Sequence, residues 1–193
     1  MKKDEKTRIT REKLLAAAEK LMEQYDDPFK VTSRQIAHES GMQPAMINYC
    51  FGSRENLIFQ VFQSKYESML KEEEVMKIVF SSEMTPKQKL KELHFIVARF
   101  LVNDFKFTKA ITKFVLFNRD LSKDAFSLKF VCEHYGARRT LQECKIIAYE
   151  LSTMMQLIIY RCEDFKRDMG IDLYDEIELR HMVDMRVDLL LEE

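Results

Sequence analysis

Residues 31–57 read VTSRQIAHESGMQPAMINYCFGSRENL, and this stretch decides the fold. Thr32 is a good helix N-cap, and Gln35 stands three residues later to complete a capping box. Ser33 to Ser40 then forms a short helix with Ile36 and Ala37 turned inward. Gly41 follows, where a positive φ costs glycine little. Pro44 suits the first position of a second short helix, which leaves the poor capper Gln43 at its N-cap. That helix runs on through Met46 to Tyr49, with Ile47 facing the first helix and Phe51 closing a small core. Gly52 and Ser53 break the chain, and Ser53 caps a longer helix from Arg54. Two short helices across a glycine turn, then a basic helix start, are the layout of a helix-turn-helix DNA reader.

Upstream, Ile9, Leu14, Leu15, Ala18, Leu21 and Met22 make one helical stripe. Residues 1–8 are charged and expected to fray. Asp26-Asp27-Pro28 ends this helix, because proline disfavours helical geometry in the residue before it. Downstream, apolar spacing predicts one helix from Arg54 to about Val79. Such a helix would be a rigid connector of ~38 Å at ~1.5 Å per residue. Helical spacing recurs in Lys87–Val102, Phe107–Phe117, Phe126–Tyr135, Arg138–Arg167 and Leu173–Leu191. Turns are expected at Ser81-Ser82, Asn103-Asp104, Asn118 to Asp124, Gly136 and Gly170. The expected fold is all-α, with a three-helix head over residues 1–55 and a larger helical domain over 56–193.

Composition agrees. The chain has 193 residues, 46% hydrophobic and 33% charged, as in a folded protein rather than a disordered one. Four glycines and three prolines are few for the turns of a sheet protein. The net charge of -1 excludes binding to nucleic acid through bulk charge. The first 65 residues carry 11 Lys/Arg against 9 Asp/Glu. Any DNA binding must therefore rest on local placement and on two copies of the head.

Cys50, Cys132, Cys144 and Cys162 lack CxxC spacing and read as free thiols rather than zinc ligands. His38 reads as near solvent on the first short helix; His94, His134 and His181 lie in separate segments, so neither metal nor cofactor is expected. No nucleophile spacing is visible, and no enzyme activity is expected. The N-terminus lacks the apolar stretch of a signal peptide, and no uncharged run approaches the ~20 residues that span a bilayer. A reducing, cytoplasmic setting is the expectation, with no membrane partner.

Taken jointly, TREKLLAAAEKL, VTSRQIAHESGM and AMINYCFGSRENL resemble the tetracycline-repressor (TetR) family of transcriptional regulators. The likeness covers about the first 60 residues; beyond them only the helical layout is similar. It implies that Thr32, Ser33 and Arg34 lie beside the DNA backbone. It places Gln43, Pro44, Ala45 and Met46 at the major groove, Asn48 and Tyr49 beside base edges or phosphates, and Arg54 where a lysine usually holds a phosphate. Two positions depart from the pattern. Asn48 stands where tyrosine is commonest, and Cys50 where tyrosine or histidine is common. Cys50 thus removes a polar phosphate contact or shifts that job to Tyr49.

The chemistry suits these roles. Hydroxyls and helix N-termini bind phosphate oxygens. Asn48 can grip an adenine edge and Arg34 a guanine edge, while Pro44, Ala45 and Met46 suit thymine methyls. Met46 and Tyr49 also read as partial core residues, and Arg34 as a solvated charge.

The same resemblance implies a homodimeric, ligand-responsive regulator, most simply a repressor, on a palindromic double-stranded DNA operator. The Phe-rich middle has two readings: a filled core, or the lining of a cavity for a hydrophobic or aromatic effector. The cavity reading uses His94, Phe114, Phe117, Asn118, Phe130, His134 and Tyr149. The two C-terminal stripes predict a four-helix dimer interface through Met154, Met155, Ile158, Leu179, Met182 and Val183. Effector binding would tilt the Arg54–Val79 helix and change the spacing of the two readers. The alternative is a helical protein–protein adaptor that has lost DNA binding, favoured by Cys50 and the modest charge of the head.

Overall fold

A computed structural model describes residues 3–25, 27–103, 105–118, 120–121 and 126–192. The expected turns through Asp26 and Asp104, and most of that at 118–124, lie outside the described residues, as does the side chain of Phe107. Every regular element among the described residues is helical, so the fold is all-α. The chain divides into two compact units, Met1–Leu70 and Lys71–Glu193.

In the first unit, α1 spans Lys3–Met22. It starts well before Ile9 because Arg8 bonds Glu5 at 2.7 Å and Glu12 at 2.6 Å along one exposed face, which supports the first turns. A 3₁₀ turn, Pro28–Lys30, is capped by the Asp27 carboxylate on the Phe29 amide. α2 is Ser33–Ser40, with the expected capping box: the Thr32 hydroxyl accepts from the Gln35 amide at 3.3 Å, and the Gln35 side chain accepts from the Thr32 amide at 2.9 Å. Gly41 ends α2 at φ 67°.

α3 is Ala45–Phe51. Pro44 takes the cap position in helical geometry, and no side chain caps the helix. Gln43 contributes its carbonyl instead, accepting from the Met46 amide at 2.9 Å. This corrects the assignment of Gln43 as N-cap and Pro44 as first helical residue. α4 spans Arg54–Met69, capped by the Ser53 hydroxyl on the Asn56 amide. Leu14, Ala18, Met22, Ile36, Ile47, Leu57 and Ile58 form the core where α1 packs on α2, α3 and α4.

α4 stops at Met69 rather than running to Val79. Glu72 turns extended (φ -60°, ψ 149°), and α5, Glu73–Phe80, begins anew. Three successive glutamates explain the restart: they are favourable in the first turn of a helix, beside its positive dipole end, and add nothing apolar to a helix interior. The expected 38 Å lever is therefore two separate helices. The expected boundary after residue 55 places α4 with the larger domain, whereas its contacts with α1 and α3 belong to the first unit.

The second unit is built around α6, Pro86–Asn103, which packs against α5, α7 (Phe105–Asn118), α8 (Leu128–Tyr135), α9 (Leu141–Tyr160) and α11 (Glu176–Leu190). Between α9 and α11, α10 (Cys162–Asp164) runs into a π-helical turn, Phe165–Met169, that Gly170 ends at φ 71°. The single helix expected over Arg138–Arg167 is thus shorter at both ends. Thr140 and Glu143 box the start of α9, and Arg161 leaves helical geometry at its end. α6 and α11 are tied by a two-pronged ion pair, Arg180 to Glu92 at 2.8 and 2.9 Å, with the Arg180 guanidinium 3.7 Å from the Phe95 ring centre. Lys87 and Lys91 both reach Asp188. No helix among the described residues is long and apolar enough to cross a membrane.

Candidate functional site

The first unit presents a continuous run of exposed side chains from α2 through the turn to α3. Thr32, Arg34, Gln43, Pro44, Ala45, Asn48 and Tyr49 are exposed, and Ser33, Met46 and Arg54 are half-buried. Ile36, Ala37, Ile47 and Phe51 are buried, which holds that face outward. Tyr49 is 62% exposed, so the core reading does not apply to it; Met46 keeps a share in both roles. His38 is exposed, as expected. Among the described residues, Arg34, Gln43, Asn48 and Tyr49 make no side-chain hydrogen bond or ion pair. Their polar atoms are left for water or for a partner.

Thr32 and Arg54 are placed differently. The Thr32 hydroxyl is engaged with Gln35 in the cap. The Arg54 guanidinium donates to Glu55 at 2.6 Å and to the Val31 carbonyl at 3.2 Å. It ties the start of α4 to the chain just before α2. A phosphate contact by Arg54 would have to compete with that carboxylate. The Glu55 carboxyl is in turn held below its ordinary pKa, first by its own backbone amide and then by Arg54 and Ser53.

Sequence reasoning missed Arg11. Its guanidinium lies 4.4 Å from the Phe51 ring centre, bonds Gln60 at 2.7 Å and donates to the Cys50 carbonyl. One α1 side chain thus fixes the C-terminal end of α3 and a turn of α4. The available signal was a cation on the inner side of the α1 stripe, one turn before Leu14. Gln35, used in the capping box, also bonds the Tyr25 hydroxyl at 2.7 Å and so links α2 to the end of α1.

In the second unit the seven expected pocket residues differ widely in exposure. His94 and Phe130 are buried, His94 with its ring 4.9 Å from that of Phe126. Phe117 is 81% exposed, and Asn118 turns back to bond the Phe114 carbonyl. His134 bonds the Glu192 carbonyl at 2.9 Å, and Tyr149 stands on the outer face of α9. Helical spacing marks which residues share a face, but it cannot tell which faces of different helices meet. Phe95, Phe105 and Phe130 are buried, while Phe117 is exposed to solvent. Burial depresses the His94 pKa to about 3, so its ring is neutral, and its Nε2 has no hydrogen-bond partner. No group of three metal-ligating side chains comes together among the described residues.

The expected dimer residues also need correction. Met155, Ile158, Leu179, Met182 and Val183 are buried within the chain itself, and Met154 is half-buried. The apolar stripes read from sequence are the monomer core. On the opposite face of α9, Ile146, Tyr149 and Leu157 are exposed, with the half-buried Thr153 between them and Tyr160 one turn beyond at helical spacing.

Comparison of the chain with protein-family models, with curated proteins and with solved structures finds no match.

Proposed function

We propose that this chain is a DNA-binding transcriptional regulator similar to the TetR family, acting as a homodimeric repressor on a palindromic operator. The observation that carries the reading is the exposed run over α2 and α3. Arg34, Gln43, Asn48 and Tyr49 have polar groups free of internal partners, above a covered core of Ile36, Ala37, Ile47 and Phe51. On this reading α2 and α3 are a helix-turn-helix, with α3 the recognition helix in the major groove. Asn48 reads a base edge, and Arg34 meets phosphate or guanine. Self-association uses the outer face of α9. The second unit takes an apolar or aromatic effector, which lowers operator affinity and whose own affinity is lowered equally by operator.

A palindrome upstream of the chain's own gene supplies the probe. Asn48→Ala should relax discrimination at one base pair per half-site by ~1–3 kcal/mol in competition with single-base variants at fixed salt. Arg34→Ala should weaken binding and flatten its salt dependence if it meets phosphate. Unchanged discrimination ratios for Asn48→Ala would remove its role as a reader. No salt-dependent binding to the palindrome at all would replace the regulator reading with the adaptor.

A further inference from the structure

In the first unit the reading groups and the phosphate cation are in opposite states. Among the described residues, the side chains of Arg34, Gln43, Asn48 and Tyr49 make no internal hydrogen bond or ion pair. All three guanidinium nitrogens of Arg54 are bonded. Its Nε and Nη2 donate to one Glu55 carboxylate oxygen at 3.1 and 2.6 Å, and its Nη1 donates to the Val31 carbonyl at 3.2 Å. The carbonyl bond holds the cation beside the chain that enters α2, and the carboxylate neutralises it there. Glu55 is itself well placed for this. It lies in the first turn of α4, next to the Ser53 cap, where the helix dipole favours a carboxylate. The Arg54 and Glu55 side chains are 27% and 41% exposed, so a ligand arriving from solvent reaches both. Lys20 is likewise paired with Glu39 of α2. With 11 Lys/Arg against 9 Asp/Glu in the first 65 residues, little charge is left over to attract DNA of any sequence.

We propose that Glu55 is a specificity-determining residue: it occupies the Arg54 guanidinium and yields it only to a phosphate held in register by the base contacts of α3. The inference rests on the DNA-binding reading. Phosphate oxygens suit a guanidinium as well as carboxylate oxygens do, so exchanging one for the other conserves hydrogen bonds. The exchange leaves an ionised Glu55 beside a polyanion, and that repulsion opposes it. On DNA of arbitrary sequence nothing fixes a phosphate opposite Arg54. The pair with Glu55 then persists, and no counterion is released at that phosphate. On the operator, Asn48 and Arg34 hold the backbone in one register, and the phosphate displaces the carboxylate. A repulsive element that weakens the wrong complex more than the right one raises the ratio between them. Arg54 thus adds to operator binding while adding little to binding elsewhere, and Glu55 sets that difference.

The test measures binding of the full-length protein to two labelled duplexes of equal length by fluorescence anisotropy across a salt series. One duplex carries the palindrome upstream of the chain's own gene, and the other an arbitrary sequence. The proteins are the wild type, Glu55→Gln, Arg54→Ala and the double variant, each checked by circular dichroism for intact helices. Glu55→Gln removes the charge and keeps the side chain's shape. It should tighten binding to the arbitrary duplex about tenfold at ~0.1 M salt and steepen the log–log salt slope by about 1 per head. The palindrome should gain about threefold or less, so the ratio between the duplexes falls. In the Arg54→Ala background, Glu55→Gln should change either affinity by less than about twofold. Wild-type affinities and slopes in Glu55→Gln overturn the proposal and leave the DNA-binding reading standing. So does an equal gain on both duplexes, or an equal gain without Arg54, which would reflect bulk charge alone. A wild-type protein that binds neither duplex removes the DNA-binding reading, and the role of Glu55 falls with it.

Discussion

Arg11→Ala removes three contacts at once. The guanidinium sits 4.4 Å from the Phe51 ring centre, bonds Gln60 at 2.7 Å and donates to the Cys50 carbonyl. A part-buried cation–π contact contributes about 1 kcal/mol. Each hydrogen bond adds about 0.5–1 kcal/mol net. Solvent on the open side trims the sum, so the first unit should lose about 2 kcal/mol. Arg11→Lys keeps a charge over the ring but cannot fork to both acceptors, and should lose about half of that. The assay is amide hydrogen exchange of the α3 residues in the full-length protein, which reads local opening rather than unfolding of the second unit. Arg8→Ala is the control, since Arg8 is equally cationic but exposed beside Glu5 and Glu12. Protection of α3 that falls no further in Arg11→Ala than in Arg8→Ala would refute the account of Arg11 as the tie between α1 and α3. The double variant with Phe51→Leu should show less than additive loss.

His94 predicts a pH dependence. Its native pKa of about 3 lies below the ordinary ~6.5, so the unfolded chain binds the extra proton first. Stability from the neutral ring is complete above pH ~6.5 and declines through the window down to ~3, with about 2 kcal/mol lost by pH 5. His94→Phe should flatten urea midpoints between pH 7 and 5; an unchanged slope would show that the ring does not set it. Arg180→Ala removes the fork to Glu92, a pair about one-third exposed, and the contact with the buried Phe95, and should cost about 1 kcal/mol in the second unit, read as a lower midpoint in thermal unfolding. Ile146→Asp should yield monomers in equilibrium sedimentation at micromolar protein, whereas Met182→Asp should unfold the second unit rather than separate folded subunits. A dimer that survives Ile146→Asp moves the interface off α9.

Local signals in the sequence were enough for the short elements. The Thr32–Gln35 box, the left-handed Gly41 and the Ser53 cap each depend on residues within four positions, and each stands as read. The helical class follows from apolar spacing and from the scarcity of glycine and proline. So does the burial of Ile36, Ala37, Ile47 and Phe51, since a short capped helix has only one face to offer a core. The outward face of α2 and α3 was legible for the same reason.

What failed depended on which faces meet. Met155, Ile158, Leu179, Met182 and Val183 form periodic stripes whether they face their own chain or a second copy, and the same spacing serves both. His94 and Phe117 looked alike as candidates, yet one is sealed in the core and the other stands in solvent. The break at Leu70–Glu72 lies inside an unbroken run of good helix formers, where propensity alone favours continuing. The place of Arg11 on the α1 stripe was its one local signal; its partners Cys50 and Gln60, like the Val31 partner of Arg54, are distant in sequence. The helical class, the Thr32 and Ser53 caps and the Gly41 turn were set by the sequence alone, through interactions a few residues long. Helix pairing and the burial of Phe95, Phe105 and Phe130 were decided only by tertiary packing, because burial is a property of two surfaces and a linear pattern describes one.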